Sequence, residues 1–197
     1  MPAKLHHITE ADITPPQIYA RERADRRRAL IAIKRNRRVE VGPYATFYFE
    51  NFETMLAQVQ EMLHIEKGGP EQVAGELEAY NPLIPQGAEL IATLMIEIDE
   101  PNRRQAMLMK LAGIEESVTL NVGSQRITAT PTDYQDRTTP EGKTSSVHWV
   151  RFRFTSEQIV KFKNLDESVV LGITHPSYGH MAVISVEARA ELARDFD

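Results

Sequence analysis

The sequence predicts an α+β protein, a largely antiparallel sheet packed with N-terminal helices, forming one domain over residues 1–197. Three observations carry this. Helical periodicity is concentrated in the first half of the chain. Alternating runs bounded by tight-turn residues are concentrated in the second half. The 197 residues are 42% apolar and 26% charged, ordinary values for a globular chain with a real core.

Thr9, Asp12 and Thr14 offer helix starts, and Pro15-Pro16 suits a first helical turn. One long helix is predicted from Pro16 to about Asn36. Its second half, Ala29-Leu30-Ile31-Ala32-Ile33, can bury a face. Val39 to Val41 and Ala45 to Phe49 read as strands across a Gly42-Pro43 turn. Phe52 to Lys67 is helical, because Met55, Leu56, Val59, Met62 and Leu63 recur at three- and four-residue steps. Gly68-Gly69-Pro70 ends it. Glu71 to Tyr80 follows as a helix, stopped at Asn81-Pro82 because a residue before proline avoids the helical region. Leu83 to Gly87 is a turn-rich connector.

Leu90 to Ile98 alternates as a strand. Pro101 to Ala112 is a helix capped by Gly113. Val118 to Val122 and Arg126 to Thr130 form a hairpin around Gly123-Ser124. Pro131 to Ser145 is a long polar loop. Val147 to Phe154 is a strand that puts His148, Val150, Phe152 and Phe154 on one face and Trp149, Arg151 and Arg153 on the other. A helix over Ser156 to Asn164, capped by Ser156 or Thr155, strands at Ser168 to Ile173 and Met181 to Ile184, and a helix over Val186 to Phe196 complete the chain.

Charge is unevenly spread. Between Arg21 and Arg38 lie nine cations and two acids, a net +7, which leaves −12 on the rest of a chain of net −5. Such a stripe fits an anionic ligand or an acidic partner, including a second copy of the chain in a dimer. Arg23, Arg27, Arg28 and Arg35 are the candidates, with Arg151 beside them. Nucleic acid is disfavoured, since aromatic residues for base stacking are nearly absent from the stripe. The absence of cysteine excludes disulfides, thiolate metal sites and a cysteine nucleophile. No apolar run reaches the ~18–20 residues of a membrane span. Met1 to Glu10 has no apolar leader region, so a cytoplasmic, membrane-free location is expected.

Glycine-rich phosphate loops, a dinucleotide fingerprint, a Gly-x-Ser-x-Gly elbow and a His-Glu-x-x-His helix are all missing. Histidine and carboxylate remain. His175 and His180 flank a Pro/Gly turn and can meet one divalent ion, with Tyr178 between them and His148 as a third ligand. Glu61, three residues before His64 on one helix face, would complete a zinc, iron or manganese site. A solvated turn and a hydrogen-bonded core histidine are the plainer readings of the same residues. Tyr80 and Asn81, where a helix stops, and Tyr178 suit the rim of a pocket between helices and sheet.

Several strings resemble a known family. They are Ala79-Tyr80-Asn81-Pro82-Leu83-Ile84-Pro85, Ala92-Thr93-Leu94 with Glu97, Ser145-Ser146-Val147-His148 with Arg151-Phe152, and His175-Pro176 with Tyr178 and His180. Together with the arginine-rich helix and Gln60-Glu61-Met62, they resemble an uncharacterised bacterial family of about this length whose domain has no known function. The resemblance spans nearly the whole chain and implies no activity. It implies a redox or oxidative-stress setting, because its members are similar to proteins encoded beside rubrerythrin-like proteins and iron–sulfur oxidoreductases. Where that family's helix carries arginine, this chain has His64. The expectation is therefore an accessory or binding protein, possible catalysis left open, whose arginine helix meets an acidic or redox protein; the alternative is a metal-binding protein or metal-dependent enzyme.

Overall fold

The computed structural model describes residues 6–132 and 137–197. The start of the leader-region reading and four residues of the predicted 131–145 loop lie outside these. The structure has three layers. Helices α1 (Pro16–Arg35), α2 (Phe52–Glu66) and α3 (Pro70–Tyr80) form the first. A five-stranded sheet forms the second, from β1 (Arg38–Val41), β2 (Ala45–Glu50), β3 (Glu89–Ile96), β6 (Thr130–Pro131) and β7 (Val147–Arg153), in the order β1-β2-β3-β7-β6. The third is a four-stranded sheet of β4 (Val118–Val122), β5 (Gln125–Thr128), β8 (Val169–His175) and β9 (Tyr178–Val183), in the order β5-β4-β8-β9. Every strand pairing in both sheets is antiparallel, so the expected antiparallel character holds, divided between two sheets.

The larger sheet is covered on both faces, and the two-residue strand period decides which side chain meets which layer. Ala45, Phe47, Phe49, Leu90, Ala92, Leu94, Val150 and Phe152 face the smaller sheet and join Leu120, Val122, Leu171 and Ile173 in the main core. Helices α4 (Pro101–Leu108), α5 (Ser156–Lys163) and α6 (Val186–Leu192) add Leu108, Phe162, Ala188 and Leu192 to it. Phe154, Phe162 and Phe196 meet edge to face at centroid distances of 4.8–5.5 Å. A second, smaller core lies under the helices, where Phe52, Met55 and Val59 of α2 meet Ile91, Leu83, Ile84 and Ile8.

Several elements depart from the sequence reading for identifiable reasons. The strands around His175 run further than predicted: β8 and β9 form a hairpin in which His175 pairs with Tyr178 and Ile173 with His180. Asn81 stays helical (φ −57°, ψ −38°), because the chain passes directly into a 3-10 turn, Asn81–Leu83. There Pro82 takes an early position, where an N–H would be unpaired anyway. α4 stops at Leu108, four residues early, and α6 gives way to a 3-10 turn, Ala193–Asp195. Gly42 is fixed twice over. Its φ is +71°, and a Cβ there would lie 2.5 Å from Cγ of His180.

Two arginines act as internal struts. Arg189 donates to the carbonyls of Lys161, Phe162, Asn164 and Glu167, which satisfies the C-terminal end of α5. Arg37, only 1% exposed, donates through Nε to the Phe49 carbonyl (2.9 Å), through Nη2 to the Glu50 carbonyl (3.0 Å), and also to the Asp195 carboxylate. Burial pushes the Asp195 carboxyl up to about 6 despite the adjacent guanidinium. The folded acid therefore holds its proton more tightly than the unfolded one. Its contribution to stability is fully present below the ordinary value of 3.8 and is lost as pH rises through about 6. Arg37→Met should cost about 3–5 kcal/mol at about pH 8, where Asp195 ionises without its partner, and clearly less at about pH 5. Urea titrations of both proteins at the two pH values check this; an equal loss at both would contradict it.

Candidate functional site

α1 is 20 residues long and buries one of them, Tyr19. It stands against α2 on a polar anchor. The Tyr19 hydroxyl donates to Glu61 Oε1 (2.6 Å), and Arg23 donates through Nε to Oε1 (2.9 Å) and through Nη2 to Oε2 (2.8 Å). The Arg23 contact, with help from Tyr19, holds the Glu61 carboxyl down to about 2. Burial and the Glu61 charge push the Tyr19 phenol up. Elsewhere on α1, Arg26 pairs with Glu22 (2.8 Å) and Arg28 with Asp25. Arg21, Arg27, Lys34 and Arg35 make no ion pair with another described residue. Ile31 is 69% exposed beside them.

The four proposed metal ligands end on separate neighbours. Glu61 is taken up by Tyr19 and Arg23. His148 is 1% exposed on β7; its Nε2 donates to the Ser145 carbonyl (2.9 Å), and its Nδ1 lies 3.3 Å from Glu115 Oε2. His175 Nε2 donates to the Ala112 carbonyl (3.1 Å), while its Nδ1 accepts from the Ser177 N–H (3.1 Å). His180 lies edge-on to the Tyr178 ring, 4.5 Å between centroids. No three His, Asp or Glu side chains group as a metal-holding set among the described residues.

Tyr178 is a staple rather than a bridge between histidines. Its buried hydroxyl donates to the Val41 carbonyl (2.8 Å) and accepts from the N–H groups of Tyr44 (2.9 Å) and Ala45 (3.0 Å). It thereby ties β9 to the β1–β2 turn. Arg151 is likewise engaged, donating to both Glu89 oxygens (2.9 and 3.1 Å) and to the Pro82 carbonyl (2.8 Å). Asn81 clamps the chain near its start, accepting from the Ile8 N–H (2.7 Å) and donating to the Ile8 carbonyl (3.0 Å).

Tyr80 does reach a cavity, one the sequence reading places only in outline. It is about 340 Å³ and lies between the larger sheet, α2 and the end of α1. Its floor is a cross-strand row, Tyr48 on β2, Thr93 on β3 and Trp149 on β7, each directly opposite the next. Glu50 lies at one side, 5% exposed, with Oε2 accepting from Thr54 Oγ1 (2.6 Å) and Oε1 from Thr93 Oγ1 (2.7 Å). Thr54 belongs to the capping box of α2, in which Asn51 accepts from the Thr54 N–H (3.0 Å). The cap that starts the helix thus also aims the carboxylate. Lys34 of α1 and Gln58 of α2 line the helical side. Alternation alone pointed to Trp149 on this face; Glu50 and Thr93 meet only through strand register.

The architecture defines a class: α+β proteins with a helical layer over one antiparallel sheet and a second antiparallel sheet beneath. The chain belongs to the family described as "Protein of unknown function (DUF3501)", whose profile matches residues 7–196. It is similar to a solved structure from Burkholderia pseudomallei K96243, described as a novel protein of unknown function. The two are 35% identical, the match covers 96% of this chain and 99% of that one, and the TM-score is 0.89. No curated protein matches this chain. No helix among the described residues is long and apolar enough to cross a membrane.

The Tyr19–Glu61–Arg23 anchor should control α1 locally. Glu61→Gln should speed hydrogen exchange of the Ala20–Arg28 amides by at least about tenfold and leave β3 and β7 amides unchanged. Because Glu61 is held below its ordinary 4.5, the anchor is fully present above that value and is lost as pH falls toward about 2. Exchange mapped by mass spectrometry reads both effects. Uniform acceleration across helix and sheet would contradict a local role.

Proposed function

We propose that this is a binding protein whose helix α1 docks on an acidic protein surface. The carrying observation is the outer face of α1. Arg21 and Arg35 are exposed there, with Arg27 exposed at its margin towards α2, and none of the three makes an ion pair with another described residue, on a chain whose remainder is −12. Cations on a helix that its own fold leaves without ion pairs attract and orient an acidic partner, and the attraction weakens as salt rises. Ile31 and the exposed Ala32 give the same face an apolar centre for contact once the charges have steered the encounter. Guanidinium groups favour this use, because they form bidentate bonds with carboxylates at low desolvation cost.

The triple variant Arg21→Glu, Arg27→Glu, Arg35→Glu tests this reading. The unaltered chain should be retained on immobilised poly-L-glutamate at about 50 mM salt and released as salt rises, while the variant passes through. A mixed-sequence oligonucleotide retained more tightly than poly-L-glutamate would replace the acidic protein with nucleic acid. Light scattering adds the stoichiometry. A dimer that the variant dissolves identifies a second copy as the acidic partner, and a monomer leaves the partner a different protein. Equal retention of variant and unaltered chain would overturn the proposal.

A further inference from the structure

The 340 Å³ cavity above the Tyr48–Thr93–Trp149 row carries a second, independent inference. We propose that it is a binding site for a small organic cation, whose ammonium or amidinium head pairs with Glu50 and whose body lies against Trp149, Tyr48 and Tyr80. The argument begins with charge. Glu50 is 95% removed from solvent, yet no Lys, Arg or His nitrogen of the described residues lies within 4.0 Å of its carboxylate. Its oxygens accept one hydroxyl each, from Thr54 and Thr93. Hydroxyls orient a carboxylate and satisfy part of its hydrogen-bonding capacity, but they supply no counter-charge. A buried carboxylate without one is costly, and a cation entering the cavity relieves that cost.

The walls fit the same ligand. Tyrosine and tryptophan rings present negative faces to a cation, and two of these rings each already have a guanidinium beside them. The Arg137 guanidinium lies 4.2 Å from the Trp149 ring centroid, and that of Arg38 lies 5.8 Å from the Tyr48 ring. The volume, at the lower end of the ~300–1,000 Å³ typical of ligand pockets, selects a small molecule. An anion is disfavoured by Glu50, which is the more deeply buried charge. Lys34, at the helical side and without an ion pair among the described residues, is a competing internal cation, so it should weaken ligand binding rather than support it.

The chain has one tryptophan, Trp149, and it lines the cavity, so its fluorescence reports occupancy directly. Benzylamine and benzamidine should each give a saturable change at neutral pH, and benzoate and benzyl alcohol should not. Glu50→Gln, which preserves shape and one hydroxyl acceptor, should weaken benzylamine by at least about tenfold; Lys34→Met should tighten it by about threefold or more. If Glu50→Gln fails to fold by circular dichroism, the comparison of benzylamine with benzoate on the unaltered chain still decides. The proposal is overturned by no saturable change with either amine, by an equal response to benzoate, or by a folded Glu50→Gln that binds as the unaltered chain does. The same change produced by potassium or magnesium ions would also overturn it, in favour of an inorganic cation.

Discussion

Both faces of the larger sheet are packed, the lower against the smaller sheet and the middle of the upper against α2. Because it is covered on both sides, alternation along each strand commits successive residues to layers of different chemistry. On β2, Phe47 and Phe49 go to the dry space between sheets, while Tyr48 and Glu50 go to the helices. On β7, Val150 and Phe152 go down, while Trp149 and Arg151 go up. The lower side closes to near-complete burial, as expected where two apolar faces interdigitate. The upper side does not close, since a row of tyrosine, threonine and tryptophan with a glutamate beside it cannot be packed flat by a helix. The cavity is what remains. A one-residue slip of register would exchange the two sets, so the site and the core are fixed by the same pairing.

His148 is the exception on the lower side, and it shows what a polar residue needs there. Its Nε2 has a carbonyl acceptor and its Nδ1 a neighbouring carboxylate, both supplied by segments that enter the core edge, Ser145 and Glu115. Two other interior polar groups are supplied with partners by nearby backbone. Arg189 is surrounded by four carbonyls, and Tyr178 reaches three backbone groups through one oxygen. His148 and His175 each donate to a backbone carbonyl, and His180 lies against the Tyr178 ring. Glu50, a deeply buried carboxylate with no ion pair among the described residues, faces a void.

Much of this was legible in the sequence. Helix positions, the 123–124 hairpin and the two faces of the strand around His148 follow from periodicity and turn chemistry, which are local. What was not legible depends on contacts far apart along the chain. Glu50 and Thr93 are 43 residues apart and meet through register. Arg37 sits in a run of cations that composition assigns to the surface, yet it is among the most buried side chains, because the carbonyls ending β2 and the Asp195 carboxylate converge on it. Tyr178 looked like a pocket residue beside two histidines, but its partners lie over 130 residues earlier. The arginine helix was the reverse case: its exposure followed from composition, and its anchor at Glu61 did not.

The pairing of Arg37 with Asp195 spans 158 residues. A chain emerging from a ribosome presents β1, β2 and the start of α2 long before Asp195 exists. Until then the guanidinium has its two carbonyl contacts and, once residue 191 is made, Glu191 at 3.4 Å. Helical hairpins can form during synthesis, since their contacts are near in sequence. The ion pair at β1 and, beside β3, the parallel bridge from Phe196 to Gly87 both wait for residues 195 and 196. A chain held short of residue 195 keeps the β1–β2 pairing and the Tyr178 tie to Val41 but lacks the Asp195 partner of Arg37.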